Sequence, residues 1–233
     1  MKHLKLFNNE TNYNTWLISD NFVTPYVSKN KSNGNINYQR RLPYDNEIEY
    51  LQSTGTQWID TKIIPTPNTK CQIKFNNISA TGDVIFGYNT GDDHIDYRFF
   101  NVSNNLYFDI PGNYNDKDGN RIMSDTYKIN MNTIYELELG NYYVKDLTTN
   151  NIIIESTYCN DFGNIENSIT LNYYKEDRIS LNKWYYVKIF NNNRLILDLI
   201  PVKKDGIGYM YDKISNQLFS NQGTGNFILG PDK

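Results

Sequence analysis

The chain has 233 residues, a formal net charge of −3, and 39% hydrophobic, 15% aromatic and 21% charged residues. It holds 36 Asn, 26 Ile, 20 Tyr and 11 Phe but one alanine, Ala80. So few strong helix formers among so many β-branched and aromatic residues argue against a helical protein, and the aromatics supply enough apolar bulk to argue against disorder despite a mean hydropathy of −0.65.

The 23 Lys and Arg residues form no run longer than pairs such as Arg40-Arg41 and Lys203-Lys204. A nucleic-acid partner is therefore not expected, because its footprint would be a basic stripe. The opening Met1-Lys2-His3-Leu4-Lys5-Leu6-Phe7-Asn8 lacks the apolar stretch of a secretory signal. No segment reaches the roughly 18 apolar residues of a membrane span, so no membrane partner is expected either.

In chain order, residues 1–45 read as a small attachment segment of mixed elements. Asn9-Glu10 opens a predicted short helix in which Tyr13, Trp16 and Leu17 share one face. Phe22 to Ser28 reads as extended, because Pro25 forbids helix. Lys29 to Asn35 reads as a polar loop or hairpin turn, Ile36 to Tyr38 as a short strand, and Leu42-Pro43-Tyr44-Asp45 as a linker. A piece this short cannot close a core alone and must pack on its neighbouring domain or on another chain. The residues leave both partners open.

From residue 46 the chain becomes a series of short β-like segments 8–15 residues apart, separated by Gly, Asn, Asp and Pro. That spacing predicts an all-β sandwich over 46–233. Cys71, Ile73 and Phe75 alternate with Gln72 and Lys74, whereas Ile134, Leu137 and Leu139 are less regular. Trp184, Tyr186 and Ile189 break strict alternation, which predicts a bulge. Asn191-Asn192-Asn193 predicts a tight hairpin turn, since Asn tolerates the left-handed conformation.

Catalytic and metal signals are sparse. His3 and His94 are the two histidines, and with the distant Cys71 and Cys159 they offer no zinc spacing. The cysteines read as buried thiols of a protein made in a reducing cytoplasm, with a disulfide left open. Glu136 and Glu138 alternate on one face, as the two carboxyls of a retaining glycosidase could, but the Glu-x-Asp-x-x-Glu pattern of sandwich glucanases is missing. They read as solvent-facing carboxylates, and no enzyme activity is expected. Asp116 and Asp118 before Gly119, with Asp125 further on, approach a calcium loop, but Tyr114 stands where its first carboxylate is wanted. The loop therefore reads as an ordinary turn, with calcium the one cofactor it could hold. Aromatic residues such as Trp58, Tyr107, Tyr143, Tyr173 and Tyr186 would serve a core, a subunit interface or a sugar platform equally.

Two stretches resemble a known family. One is Ile48-Glu49-Tyr50-Leu51-Gln52-Ser53-Thr54-Gly55-Thr56-Gln57-Trp58-Ile59-Asp60-Thr61. The other runs from Leu199-Ile200-Pro201-Val202 through Gly208-Tyr209-Met210-Tyr211-Asp212 to Asn221, Gly223-Thr224-Gly225, Phe227 and Gly230-Pro231. Both resemble the opening and closing strands of laminin-G-like (concanavalin A-like) jelly-roll domains, which are common in virion proteins of tailed phages and prophages of gut bacteria. The features Lys5-Leu6-Phe7, Tyr13, Pro25-Tyr26-Val27-Ser28 and Asn35-Ile36-Asn37-Tyr38 resemble a leader of crAss-like and related Bacteroidales phage proteins. The resemblance implies a jelly-roll head with a virion-attachment segment, of capsid decoration or head-fibre type, located in the virion and made in the bacterial host cytoplasm. Its expected partners are capsid or other virion proteins, docked through Phe7, Tyr13, Trp16, Leu17, Phe22 and Tyr26. A homo-oligomer is expected, a trimer first. The alternative is a lectin-like module for host or mucosal glycans.

Overall fold

The computed structural model describes residues 25–29, 36–40, 42–78, 84–88, 96–102, 104–110, 123–140, 143–155, 165–175 and 178–233. Within these, 25–29, 36–40, 123–126, 174–175 and 178 are described by their backbone alone. The chain divides into two compact units, Met1–Pro43 and Tyr44–Lys233. In the first, strands Pro25–Lys29 and Ile36–Arg40 pair antiparallel with Lys29 opposite Ile36, as the extended Pro25 segment and the short strand after it predict. The predicted helix after Asn9 lies outside the described residues.

The second unit is a sandwich of two antiparallel sheets, and every described element in it is β. The smaller sheet has the order Met123–Lys128, Asn105–Asp109, Tyr97–Val102, Val84–Tyr88, Thr170–Leu171, Ile59–Asp60. The larger runs Ile152–Glu155, Tyr143–Asp146, Thr133–Leu139, Thr69–Asn77, Asn182–Asn191, Arg194–Lys204, Ile207–Asp212, Gln217–Phe219, with the short strands Asn46–Glu47, Leu51–Gln52 and Ile228–Leu229 added alongside. Period-two alternation decides the inward set. Cys71, Ile73 and Phe75 enter the core, and so do Tyr135, Leu137 and Leu139, which leaves Ile134 outside at 48% exposure. The irregular reading of that strand is resolved by Tyr135, the inward residue that Ile134 displaces in a search for aliphatics alone. Phe75 sits among three rings, with centroids 6.2 Å from Phe99, 5.9 Å from Tyr135 and 5.8 Å from Trp184. Each such pair contributes about 0.5–1.5 kcal/mol beyond its buried area.

The predicted bulge lies between Trp184 and Tyr186, so that Trp184 points inward opposite Phe75 while Tyr186 turns outward opposite Lys74. The predicted turn joins Asn182–Asn191 to Arg194–Lys204, with Asn192 and Asn193 at φ 50° and 60°. Both central residues are left-handed, the conformation that matches the twist of a two-residue hairpin.

Tyr44 and Asp45, read as linker, belong to the sandwich. The Tyr44 ring meets Tyr211 at 4.9 Å and joins Ile200 and Val202 in a second apolar cluster on the large sheet's outer face. Asp45 N–H donates to Lys203 O at 2.9 Å. The proline before them hid this, because the apolar side chains that Tyr44 packs on lie more than 150 residues away.

The segments that carry the family resemblance clasp one another. Buried Gln57 accepts from Thr54 N–H at 2.7 Å and donates to Thr224 O at 2.9 Å. Asn221 Oδ1 accepts from Trp58 N–H at 3.1 Å and from Gly223 N–H at 2.9 Å. A Cβ on Gly223 would lie 1.9 Å from Thr56 O, so only glycine allows this approach.

Asn172 joins the two sheets. It separates the short strands Thr170–Leu171 and Tyr173–Lys175 at φ 72°, fully buried. Its Oδ1 accepts from Trp184 Nε1 at 2.9 Å, Asn182 Nδ2 at 3.0 Å and Ser180 Oγ at 3.2 Å. Replacing Asn172 by Ala strands two buried donors, on Trp184 and Asn182, while Ser180 keeps Val84 O as acceptor, and it forces a Cβ-bearing aliphatic residue to stay left-handed. A loss of at least about 3 kcal/mol is expected in urea denaturation, with Asn172→Gly recovering about 1 kcal/mol of it.

Cys71 is buried in the same core, its Sγ 3.8 Å from the Tyr97 hydroxyl, and burial pushes the thiol up to about 12. In a Cys159→Ser background, Ellman's reagent is expected to titrate no thiol in the native protein and one after unfolding in guanidinium.

Candidate functional site

Alternation that fills the core also decorates two outer faces. On the large sheet, Lys70, Gln72 and Lys74 lie beside Glu136 and Glu138 on one neighbouring strand and Tyr186, Lys188 and Phe190 on the other. Glu136 Oε1 accepts from the Tyr186 hydroxyl at 2.6 Å, and its Oε2 lies 3.3 Å from Lys74 Nζ. Glu138 accepts from the Tyr143 hydroxyl at 2.6 Å and from Gln72 Nε2 at 2.8 Å, with Lys70 Nζ at 3.7 Å.

These partners set the charge of the pair. The hydrogen bond from Tyr186 holds Glu136 below its ordinary 4.5; burial opposes this, and Lys74 and Lys188 assist. Burial pushes Glu138 up, but Tyr143, Gln72, Lys70 and Lys145 outweigh it and leave it lowered as well. Burial and these same carboxylates raise both tyrosines. Acid–base glycoside cleavage needs one carboxyl that stays protonated near neutrality, which requires a raised value. Glu136 and Glu138 are both ionised there.

On the six-stranded sheet, Ile59, Leu171, Phe86, Phe99 and Phe108 face the core. The residues between them fall on the outer face, where pairing lines up Asp60, Thr170, Gly87, Arg98 and Asp109 across five strands. Arg98 Nε donates to Asp109 Oδ2 at 2.6 Å, and Arg98 Nη1 lies 3.0 Å from Asp96 Oδ2, with all three side chains almost fully buried. The guanidinium lies 4.8 Å over the Phe100 ring, which stacks on Tyr107 at 5.1 Å. Planar, delocalised and flanked by two carboxylates, Arg98 suits such a buried site where Lys would not.

At the other end of the row, Asp60 accepts from Lys62 N–H at 2.8 Å and from Ser168 Oγ at 2.5 Å, and binds Lys62 Nζ. Burial raises its value, but these bonds outweigh it and keep Asp60 below its ordinary 3.8. Two residues earlier on the same face, the Trp58 ring lies 4.5 Å from that of Tyr173, and both are partly exposed. Asn172 presents Tyr173 there: its left-handed backbone ends one short strand and starts the next.

Of the docking residues expected from the sequence, Phe7, Tyr13, Trp16, Leu17 and Phe22 lie outside the described residues. Tyr26 is in strand Pro25–Lys29, with its side chain outside them. Asp116 and Asp118 also lie outside, whereas Asp125 falls within strand Met123–Lys128. Among the described residues no group of three or more His, Cys, Asp or Glu side chains is placed to hold a metal ion, and no helix is long and apolar enough to cross a membrane. Sequence reasoning missed Arg98, Asp96 and Asn172. A lone Arg inside the run Tyr97-Arg98-Phe99-Phe100 was the readable signal, because a strand so apolar on both sides needs a paired partner for any charge it carries.

No family model matches the chain, and no curated protein matches it. Among solved structures it is similar to one from Bacteroides ovatus described as a "putative carbohydrate binding protein", at 12% identity and a TM-score of 0.41. That alignment covers 87% of this chain and 65% of the other, so the chain spans less than two thirds of that protein's length.

Because both glutamates are lowered in the folded protein, they stabilise it fully above their ordinary 4.5, and that contribution is lost as pH falls through their folded values. Acid unfolding followed by circular dichroism is expected to begin below pH 4.5. The Glu136→Gln, Glu138→Gln double variant should lose stability less steeply over that range while being less stable at pH 7.

Proposed function

We propose that the chain is a non-enzymatic phage virion protein of head-fibre or capsid decoration type. Its N-terminal unit attaches it to the particle as a homo-oligomer, and its sandwich is displayed and binds carbohydrate. The observation that carries this reading is the self-contained sandwich. Its last strand, Ile228–Leu229, pairs with Leu51–Gln52, its core closes between its own two sheets, and residues before Tyr44 form a separate unit. The virion assignment itself comes from the leader and the jelly-roll segments that resemble phage proteins. The carbohydrate part is supported by partly exposed rings set beside fixed carboxylates, and the non-enzymatic part by a glutamate pair that keeps no proton to donate.

A chain starting at Tyr44 is expected to unfold cooperatively within about 3 °C of the full-length midpoint, the effect of roughly 1 kcal/mol in a domain this size. It should no longer co-sediment with virions that bind the full-length protein. Co-sedimentation of the shortened chain would sink the attachment role.

A further inference from the structure

The outer face of the six-stranded sheet combines a partly exposed ring pair with a fixed acceptor. Trp184 and the core rings Phe75, Phe86, Phe99 and Phe108 are at most 1% exposed. Trp58 and Tyr173 are left partly open to solvent instead, and they are paired with each other. The backbone of Trp58 is pinned from both sides, its N–H by Asn221 and its carbonyl by Gln222 N–H at 2.9 Å. The ring therefore stands on a rigid mount. Asp60, about 7 Å along the same face of that segment by strand rise, holds its carboxylate against Lys62 and Ser168.

We propose that Trp58, Tyr173 and Asp60 form a carbohydrate subsite for a neutral pyranose. The proposal rests on the carbohydrate-binding part of the function proposed above and places it on this face rather than on the glutamate-bearing sheet. A pyranose has one face of C–H groups and a rim of hydroxyls. The C–H face covers the open side of the ring pair and removes its remaining surface from water, while an ionised Asp60 accepts hydrogen bonds from hydroxyls at the rim. Sugar carboxylates and sulfates are disfavoured, because they would meet Asp60, which is already ionised and paired.

The test is affinity electrophoresis of the full chain in native gels containing laminarin, galactomannan or arabinoxylan as neutral probes and alginate as the acidic one. At least one neutral polymer should retard the protein, and alginate should not. Tyr173→Ala should weaken retardation about tenfold, which is the loss of one stacking partner, while Tyr173→Phe should keep it. Asp60→Asn, an edge substitution that tests the subsite even where Tyr173→Ala unfolds, should weaken it about fivefold. The Glu136→Gln, Glu138→Gln variant should bind like the wild type. Equal retardation of wild type, Tyr173→Ala and Asp60→Asn would overturn the subsite and leave carbohydrate binding standing. Retardation by alginate alone would overturn the neutral class. Retardation by no polymer would overturn both the subsite and the carbohydrate part of the function.

Discussion

The hydrogen bond from Trp184 Nε1 to Asn172 Oδ1, 2.9 Å long, is the joint on which the sandwich is organised. Sheet packing is otherwise a matter of apolar area, which resists sliding poorly because it has no preferred direction. A buried, directional bond between the two layers fixes their registration. It also explains two local irregularities at once. The bulge after Trp184 is needed to keep that indole inward while its neighbours Tyr186 and Lys188 face out. The left-handed turn at Asn172 is needed to aim the amide at the indole, and it carries Tyr173 over to Trp58. Core geometry and surface chemistry are thus set by one residue.

The two outer faces use charge differently. On the large sheet, lysines, glutamates and tyrosines alternate across strands and bind one another; such partly exposed pairs are worth at most about 1 kcal/mol each. They keep the face soluble and its register unique. On the small sheet, Arg98 is buried between Asp96 and Asp109, where removing one partner would cost about 3–5 kcal/mol. A sheet that spends a buried charge cluster on its outer face is rigid there, and rigidity is what a shallow binding face lacks when it is built from loops.

Much of the fold was legible because it is local. Period-two alternation of Cys71, Ile73 and Phe75 marks the strand Thr69–Asn77, and the triple Asn gives the hairpin its left-handed pair. What stayed hidden depends on contacts between distant segments. Tyr44 reads as linker until Tyr211 is brought beside it. The strand from Ser168 to Tyr174 reads as continuous until Trp184 draws Asn172 out of line. The candidate site was half readable. Trp58, Tyr173, Glu136 and Glu138 stood out as residue types, but only the register shows that the first two meet each other and that the glutamates each meet a tyrosine. The residues from Phe7 to Phe22 expected to dock the chain lie outside the described residues.

The clasp between Thr56 and Thr224 joins positions 168 residues apart, and Ile228–Leu229 pairs with Leu51–Gln52 beside it. Such closure has a temporal consequence. A ribosome makes the chain from its N-terminus, so Leu51–Gln52, made early, waits for Ile228–Leu229 before it gains that partner. Pairings of such length, like that of Asn46–Glu47 with Arg194–Lys204, place the domain among the slow-folding topologies of high contact order.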